Sequence, residues 1–525
     1  MAELGLAIVA TVDLAIKWGN QLVKLCETYR DYNITIRDSS LQLEMIWLKA
    51  QKQLAFMKEL EHVLDEHHRS LNVQATDRLK TQFENAVRKL QEFTVHDAQG
   101  SGMLAQIRKK AIKWKYAIVK ETVDAVIEEL QKWQALADPS WYLMLKMANS
   151  QIDQTLRSNE KTATDAFPET MRIRQVARST SASPNTGIFL PAGELSKMTI
   201  SNVPMSTLQM AHRTTSTGVQ HLLLTTVECA AGTDVNQKAR EVRELARKLS
   251  VNDPATFSLL SCKGVIKRAT DAPNGQPLVS FIMVFRSPNN AADTKSLRAK
   301  LLGPNDFVSV SNKIRFARQL AKSVAYVHNF GFVHKSIRPE NIVIFEGEGK
   351  EPPGMYLAGL SNFRRDEGRT YRLEDGTWDK DIYLHPQRQG PLPREDYQMQ
   401  HDIYSLGVCL LEIGFWDSFV RFDADGKTTT ATSMLHQFSV DCLAGKTTIQ
   451  GSKEYFLNLC RSQLPRYMVG RYCEIVETCL TCLDHGNVDF GDESEFQDPD
   501  GILVGVRYIE KHKLFELLSL VIEKA

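Results

Sequence analysis

The stretch VHKSIRPENIVIF, Val333 to Phe345, brings together groups that could do chemistry: an imidazole at His334, a cation at Lys335, a hydroxyl at Ser336 and a carboxamide at Asn341. Ser336 carries no charge and cannot act as a base near neutral pH. Asn341 alone makes a poor magnesium site, because Mg²⁺ prefers carboxylate and phosphate oxygens. No substitute carboxylate is visible in the nearby sequence. Elsewhere, Cys479 and Cys482 form a C-x-x-C, but no second pair stands at zinc spacing. Cys473, Val476, Cys479 and Leu483 share one helical face, which reads as a buried helix.

Several elements must position the 333–345 stretch. The runs NIVIF and MYLAGL read as a strand pair, and the glycine-dense EGEGKEPPG between them as its hairpin turn. Upstream, HLLLTTVEC (His221 to Cys229), FSLLSCKGVIKRA (Phe257 to Ala269) and PLVSFIMVF (Pro277 to Phe285) read as strands. NQKAREVRELARKL (Asn236 to Leu249) reads as a helix. The remainder is mainly helical. Residues 1 to about 155 differ, because apolar positions such as Val12, Ala15, Trp18, Leu22 and Leu25 recur every three or four residues. Four long amphipathic helices with short connections predict a bundle. Residues 156–199 are rich in Ser, Thr and Pro and read as a linker. Its ARSTSASP offers hydroxyls after an arginine, a pattern open to phosphorylation or plain linker.

The chain has 525 residues, 43% hydrophobic and 24% charged, enough for two or three globular domains. A net charge of +1 argues neither for nor against a nucleic-acid partner, so any electrostatic function must come from a local patch, and with no recognisable nucleic-acid-binding fold no such partner is expected. One such patch is QIRKKAIKWKYAIVK, where Lys109, Lys110 and Lys113 flank Trp114 with no acid. It is a candidate contact for anionic lipid, each basic residue giving roughly 1 kcal/mol near a membrane surface; a solvated helix face is the alternative. Nine scattered cysteines suggest free thiols in a reducing compartment. The apolar N-terminal run has no basic leader and is far shorter than the ~20 residues of a membrane span. The expected location is cytoplasmic, with peripheral membrane contact left open.

The stretch NKIRFARQLAKSVAYVHNFGFVHKSIRPENIVIF and the later HDIYSLGVCLLEIG together resemble the protein-kinase superfamily over roughly residues 200 to 525. The resemblance implies a fold class of two domains: an all-α N-terminal bundle (1–155) and an α+β two-lobed kinase-like domain (200–525). The small lobe would span about 200–288 and the large lobe about 289–525. It assigns His334 to the catalytic-loop histidine, Lys335 to its basic neighbour and Asn341 to the metal-binding asparagine. Asp402 and Gly407 become structural residues of the central helix. Ser336 then stands at the catalytic aspartate, and Gly359 at the metal-binding aspartate. Val227 or Glu228 stands at the phosphate-binding lysine, and no G-x-G-x-x-G precedes that strand. His385-Pro386-Gln387 replaces Ala-Pro-Glu, so this segment must be tethered differently. Phosphoryl transfer depends on these charges, and losing one transition-state contact typically costs about a factor of 10² to 10³. The pattern implies a pseudokinase in which ATP binding stays open and magnesium binding is weak.

The N-terminal run LAIVATVDLAIKWGNQLVKLCETYRDY and the later DPSWYLMLKM resemble fungal HeLo-like domains of heterokaryon incompatibility and programmed cell death. This implies a signalling regulator whose kinase-like domain controls a bundle that acts on membranes or oligomerises. Two other readings stay open: an active atypical kinase that uses Asn341, and a non-catalytic scaffold for protein partners.

Overall fold

On the first helix, Val12, Ala15, Gly19, Leu22, Cys26 and Tyr29 are buried, while Trp18 and Leu25 flank this stripe half-buried. The computed structural model describes residues 2–29, 34–60, 66–95, 117–131, 133 and 187–487. The last span has short breaks at 217, 230–232, 272–276, 304–307, 347–352, 366–375, 391–396 and 423–428. The chain divides into two compact units, Met1–Arg174 and Gln175–Ala525. The basic stretch with Lys109, Lys110, Lys113 and Trp114 lies outside the described residues, as do ARSTSASP and residues 488–525.

The first unit is all helical: α1 (Ala2–Glu27), α2 (Ile34–Leu60), α3 (Glu66–Val95) and α4 (117–131). Their stripes share one core, with Val12, Leu22, Trp47, Phe83, Leu90 and Val123 among the buried residues. Polar ties fix the register. Trp47 Nε1 donates to Asn20 Oδ1 at 2.9 Å, Tyr29 OH to Leu90 O at 3.2 Å, and Ser39 Oγ to Asp124 Oδ1 at 2.7 Å. Trp47 meets Phe83 edge to face, with ring centroids 5.2 Å apart. Gly19 lets the Trp47 ring approach α1, because a Cβ there would lie 2.4 Å from the indole.

The second unit begins with an antiparallel sheet of β2 (Thr199–Asn202), β3 (Gln209–Thr215), β4 (Gly218–Glu228), β6 (Pro277–Arg286) and β5 (Cys262–Asp271), in that spatial order. The short β1 (Phe189–Leu190) adds parallel to β5. Residues 187–198, the end of the expected linker, therefore carry structure. Their segment is too short for periodicity to reveal, and Leu190, Leu195 and Met198 cover the outer sheet face. On the other side lies α5 (Val235–Ser250), whose N-cap Asp234 accepts from Asn236 N and Gln237 N.

Strand β7 (Thr294–Ser296) and α6 (Leu297–Leu301) then lead to a mainly helical half. It contains α7 (Val310–Asn329), β8 (Phe332–Val333), β9 (Ile342–Phe345), β10 (Gly354–Leu357), β11 (Arg364–Arg365), α8 (Met399–Phe415), α9 (His436–Leu443), α10 (Ser452–Ser462) and α11 (Gly470–Leu480). β9 and β10 pair antiparallel, as their sequence predicts. Every residue of α8 is buried, which makes it the spine of this half. All nine cysteines are free thiols, eight of them buried. The layout is a helical unit followed by a sheet-plus-helix unit with the kinase-like order of elements.

Gly19→Ala is expected to destabilise the helical unit by ~1–3 kcal/mol through overpacking against Trp47. Urea unfolding followed by circular dichroism checks this, and an unchanged midpoint would contradict the packing.

Candidate functional site

Asp402, in the first turn of α8, is completely buried and organises the 333–345 stretch. Its carboxylate accepts from His334 N at 2.7 Å, Lys335 N at 2.9 Å and Tyr397 OH at 2.8 Å; His328 Nε2 lies 3.0 Å away. Burial alone would push this carboxyl up, but the His328 hydrogen bond and the charge of its neighbours hold it below its ordinary value. The two backbone bonds hold Lys335 in the left-handed region, at φ +68. Such a conformation costs roughly 1–3 kcal/mol for a non-glycine residue. From the sequence, Asp402 is expected to be a structural residue of the central helix; in the structure its carboxylate accepts from the His334 and Lys335 amides.

His334 lies 2.8 Å from Ala358 O through Nε2, and its Nδ1 accepts from Ser336 N at 3.3 Å. Those partners assign the Nε2–H tautomer. Burial drives its pKa down to about 4 against the pull of Asp402, so the ring is neutral at pH 7. Ser336 Oγ accepts from Asn362 Nδ2 at 2.9 Å. Asn341 Nδ2 donates to Ser336 O at 2.8 Å, while its Oδ1 accepts from Thr207 Oγ1 at 3.0 Å. Both ends of the Asn341 side chain are thus engaged by the protein.

Gly359 sits in the turn after β10 with φ +66. A Cβ at this position would lie 2.4 Å from Asn341 Cγ and 2.5 Å from its Oδ1. Asn341 fills the space that a side chain at 359 would need. A side chain at 359 would have to displace Asn341, and would do so from a backbone conformation that side chains rarely adopt.

Val227 and Glu228 end β4. Val227 is fully buried, whereas Glu228 is exposed. Glu228 lines a small open cleft together with Asp234, Lys238, Lys335 and Asn362. The buried cation in this region is Lys238 of α5, which sequence reasoning missed. Its Nζ donates to Phe363 O and lies 3.2 Å from Glu241 Oε2. Burial lowers its pKa, opposed by Glu241. Its sequence signal was the i, i+3 pairing with Glu241 on a basic amphipathic helix. Gly407 packs α8 against α11, where an added Cβ would meet Cys479 Cβ at 2.8 Å.

A second buried cluster also escaped sequence reasoning. Arg298 of α6 donates through Nη2 to Glu340 Oε2 at 2.8 Å. Through Nη1 it reaches Tyr383 OH at 2.8 Å, Glu412 Oε1 at 3.2 Å and Ser418 Oγ at 2.6 Å. Burial raises Glu412 to about 7 despite Arg298. Glu340 is held low, because Arg298 and Arg338 act on it together and outweigh its burial. The segment 381–390, expected to be tethered without the usual glutamate, is held by Gln389. Its Nε2 donates to Asp381 O at 3.0 Å, Leu384 O at 2.8 Å and Ser452 Oγ at 3.2 Å.

The loop backbone is held by Asp402, and the Ser336 and Asn341 side chains are bonded within the chain. Among the described residues, no three His, Cys, Asp or Glu side chains are grouped to hold a metal ion.

No protein-family profile matches the chain. Parts of it are similar to protein kinases. A probable serine/threonine-protein kinase of Clostridium acetobutylicum is 26% identical over 141 residues, which is 27% of this chain and 20% of that protein. Eukaryotic translation initiation factor 2-alpha kinase 1 of Mus musculus is 29% identical over 116 residues, 21% of this chain and 18% of the kinase. A probable serine/threonine-protein kinase of Dictyostelium discoideum is 31% identical over 96 residues, 17% and 14% of the two chains. The matches span a fifth or less of these relatives' own length. They support a kinase-like domain.

The buried titratable groups set the pH response. His334 and His385 fall to about 4, and His401 well below its ordinary value, in each case chiefly by burial. The unfolded chain protonates all three near pH 6.5, so their contribution is full above that pH and is lost as pH falls toward 4. Glu412, raised from 4.5 to about 7, has the opposite sign and gains on acidification through the same window. Three histidines outweigh one carboxyl, at about 1.4 kcal/mol per proton per pH unit. The full chain's urea midpoint is expected to fall between pH 6.5 and 4.5, and Glu412→Gln to steepen the fall. A flat profile would show that these histidines are not buried neutral.

Proposed function

We propose that this chain is a signalling regulator whose kinase-like domain does not transfer phosphate and works by binding proteins. The observation that carries this reading is the contact between Gly359 and Asn341. Asn341 fills the space that a carboxylate side chain at 359 would take, while Ser336 offers no base. On this reading the N-terminal helical unit is the output module. Its resemblance to HeLo-like domains supports a role in fungal cell death, acting on membranes or by oligomerising. No described helix is long and apolar enough to cross a membrane, so membrane action would be peripheral and would use the basic stretch.

Lys238 favours a second reading. A buried cation beside the loop could stand in for the missing strand lysine in an active atypical kinase acting on Ser or Thr of proteins. That reading requires ATP, and it requires magnesium held without the usual aspartates.

Radiolabelled ATP separates the two. No transfer to itself or to general protein substrates is expected. Transfer abolished by Asn341→Ala would establish the second reading instead. The double change Ser336→Asp and Gly359→Asp is expected not to create activity, and to destabilise the unit by ~1–3 kcal/mol, because the new Cβ meets Asn341. For the output module, the full chain, once released from restraint by its activating partner, is expected to leak anionic liposomes. Charge reversal at Lys109, Lys110 and Lys113 should weaken that leakage, and equal leakage by the charge-reversed chain would remove the basic stretch from the mechanism.

A further inference from the structure

The turn joining β2 to β3 is Pro204-Met205-Ser206-Thr207, flanked by buried Val203 and Leu208. By the kinase-like reading, this is the turn that would cover a nucleotide's phosphates. It has no glycine, and Met205 takes φ +51. Three hydroxyls fasten it to the other half of the unit. Ser206 Oγ donates to Glu340 O. Thr207 Oγ1 donates to Asn341 Oδ1 at 3.0 Å. Ser296 Oγ lies 2.7 Å from Pro204 O and 3.0 Å from Met205 O. The turn is also closed on itself: Val203 N donates to Leu208 O at 3.0 Å, and Leu208 N to Ser206 Oγ at 3.1 Å.

We infer that this turn is a latch occupying the place of a nucleoside triphosphate, so that a closed latch and a bound triphosphate exclude each other. The inference rests on the kinase-like reading of the site and adds its regulation. The reason is spatial. A phosphate between Thr207 and Asn341 would need two hydrogen bonds of about 2.8 Å plus its own width, where one direct bond now spans the gap. The direct bond also takes the Asn341 oxygen that would face a metal–phosphate complex. Opening releases the Asn341 side chain and the Glu340 carbonyl in one movement. Glu340 is bonded to Arg298, so the latch state reaches the buried cluster between α6 and α8.

Hydrogen–deuterium exchange on the full chain reads the latch without requiring any chemistry. The Val203 and Leu208 amides are expected to be protected. Thr207→Val removes one donor from an exposed residue with little risk to folding, and should speed exchange at 203–208 about three- to tenfold. Adding Ser296→Ala should speed it further, while α7 and α8 stay protected; Thr207→Ser should restore the wild-type rate. Unchanged exchange in Thr207→Val and in the double variant would overturn the latch. Titrating the wild type with ATP, with and without magnesium, gives the second arm. No thermal shift, or a shift accompanied by lost protection at 203–208, supports exclusion. Binding with the turn still protected overturns it. Phosphate transfer accompanied by loss of that protection would refute only the inactive reading above and leave the latch standing.

Discussion

The Asp402 carboxylate is the constraint on which the kinase-like unit depends. It is buried without a cation salt partner of fixed charge, yet it accepts from two consecutive backbone amides and a phenol and lies against the His328 ring. These bonds make a buried charge tolerable, since an unsatisfied one would cost far more than any single contact returns. They also hold Lys335 at positive φ, and with it the direction in which His334 and Ser336 leave the loop. The same residue joins the end of α7, through His328, to the start of α8. The loop therefore keeps its shape independently of any catalytic carboxylate.

That independence explains how the loop geometry persists where the reactive groups do not. Ser336 and Asn341 are each used internally, the first by Asn362 and the second by Ser336 O and Thr207. Gly359 permits the chain to turn directly over the Asn341 side chain. The Ser336 hydroxyl and both ends of the Asn341 side chain are thus satisfied by neighbours from this chain. A site that needs no ligand to complete its hydrogen bonds is suited to presenting a fixed surface.

The Arg298 cluster works at longer range. One guanidinium binds two glutamates, a tyrosine and a serine drawn from four places along the chain, all buried. Replacing such a cluster with apolar residues need not weaken a fold, whereas removing one member leaves uncompensated charge. Its consequence here is registry: α6, the 339–341 turn, Tyr383 and α8 cannot shift separately. Burial raises Glu412 to about 7, so this polar interior responds to acidification.

The sequence by itself determined many of the elements and the identity of the residues in the 333–345 loop. Periodicity located α1, α2 and α3, and apolar runs between turn signals located β4 to β6 and β9 to β10, because such patterns are local and set by which face must be buried; α7 and α8 were placed by resemblance. It also established that no aspartate stands at 336 or 359, since that is a matter of identity. Only the tertiary structure decided what replaces those groups. Thr207 and Asn341 are separated by 134 positions, and Arg298 and Glu412 by 114. No local pattern encodes such pairings; they exist because chain closure brings the turn, the loop and the helices to one place. Lys238 was hidden for a related reason: one lysine among several on a basic helix becomes distinctive only when packing buries it. The exclusion of a side chain at Gly359 was likewise invisible in one dimension, because it depends on the volume of Asn341 in three.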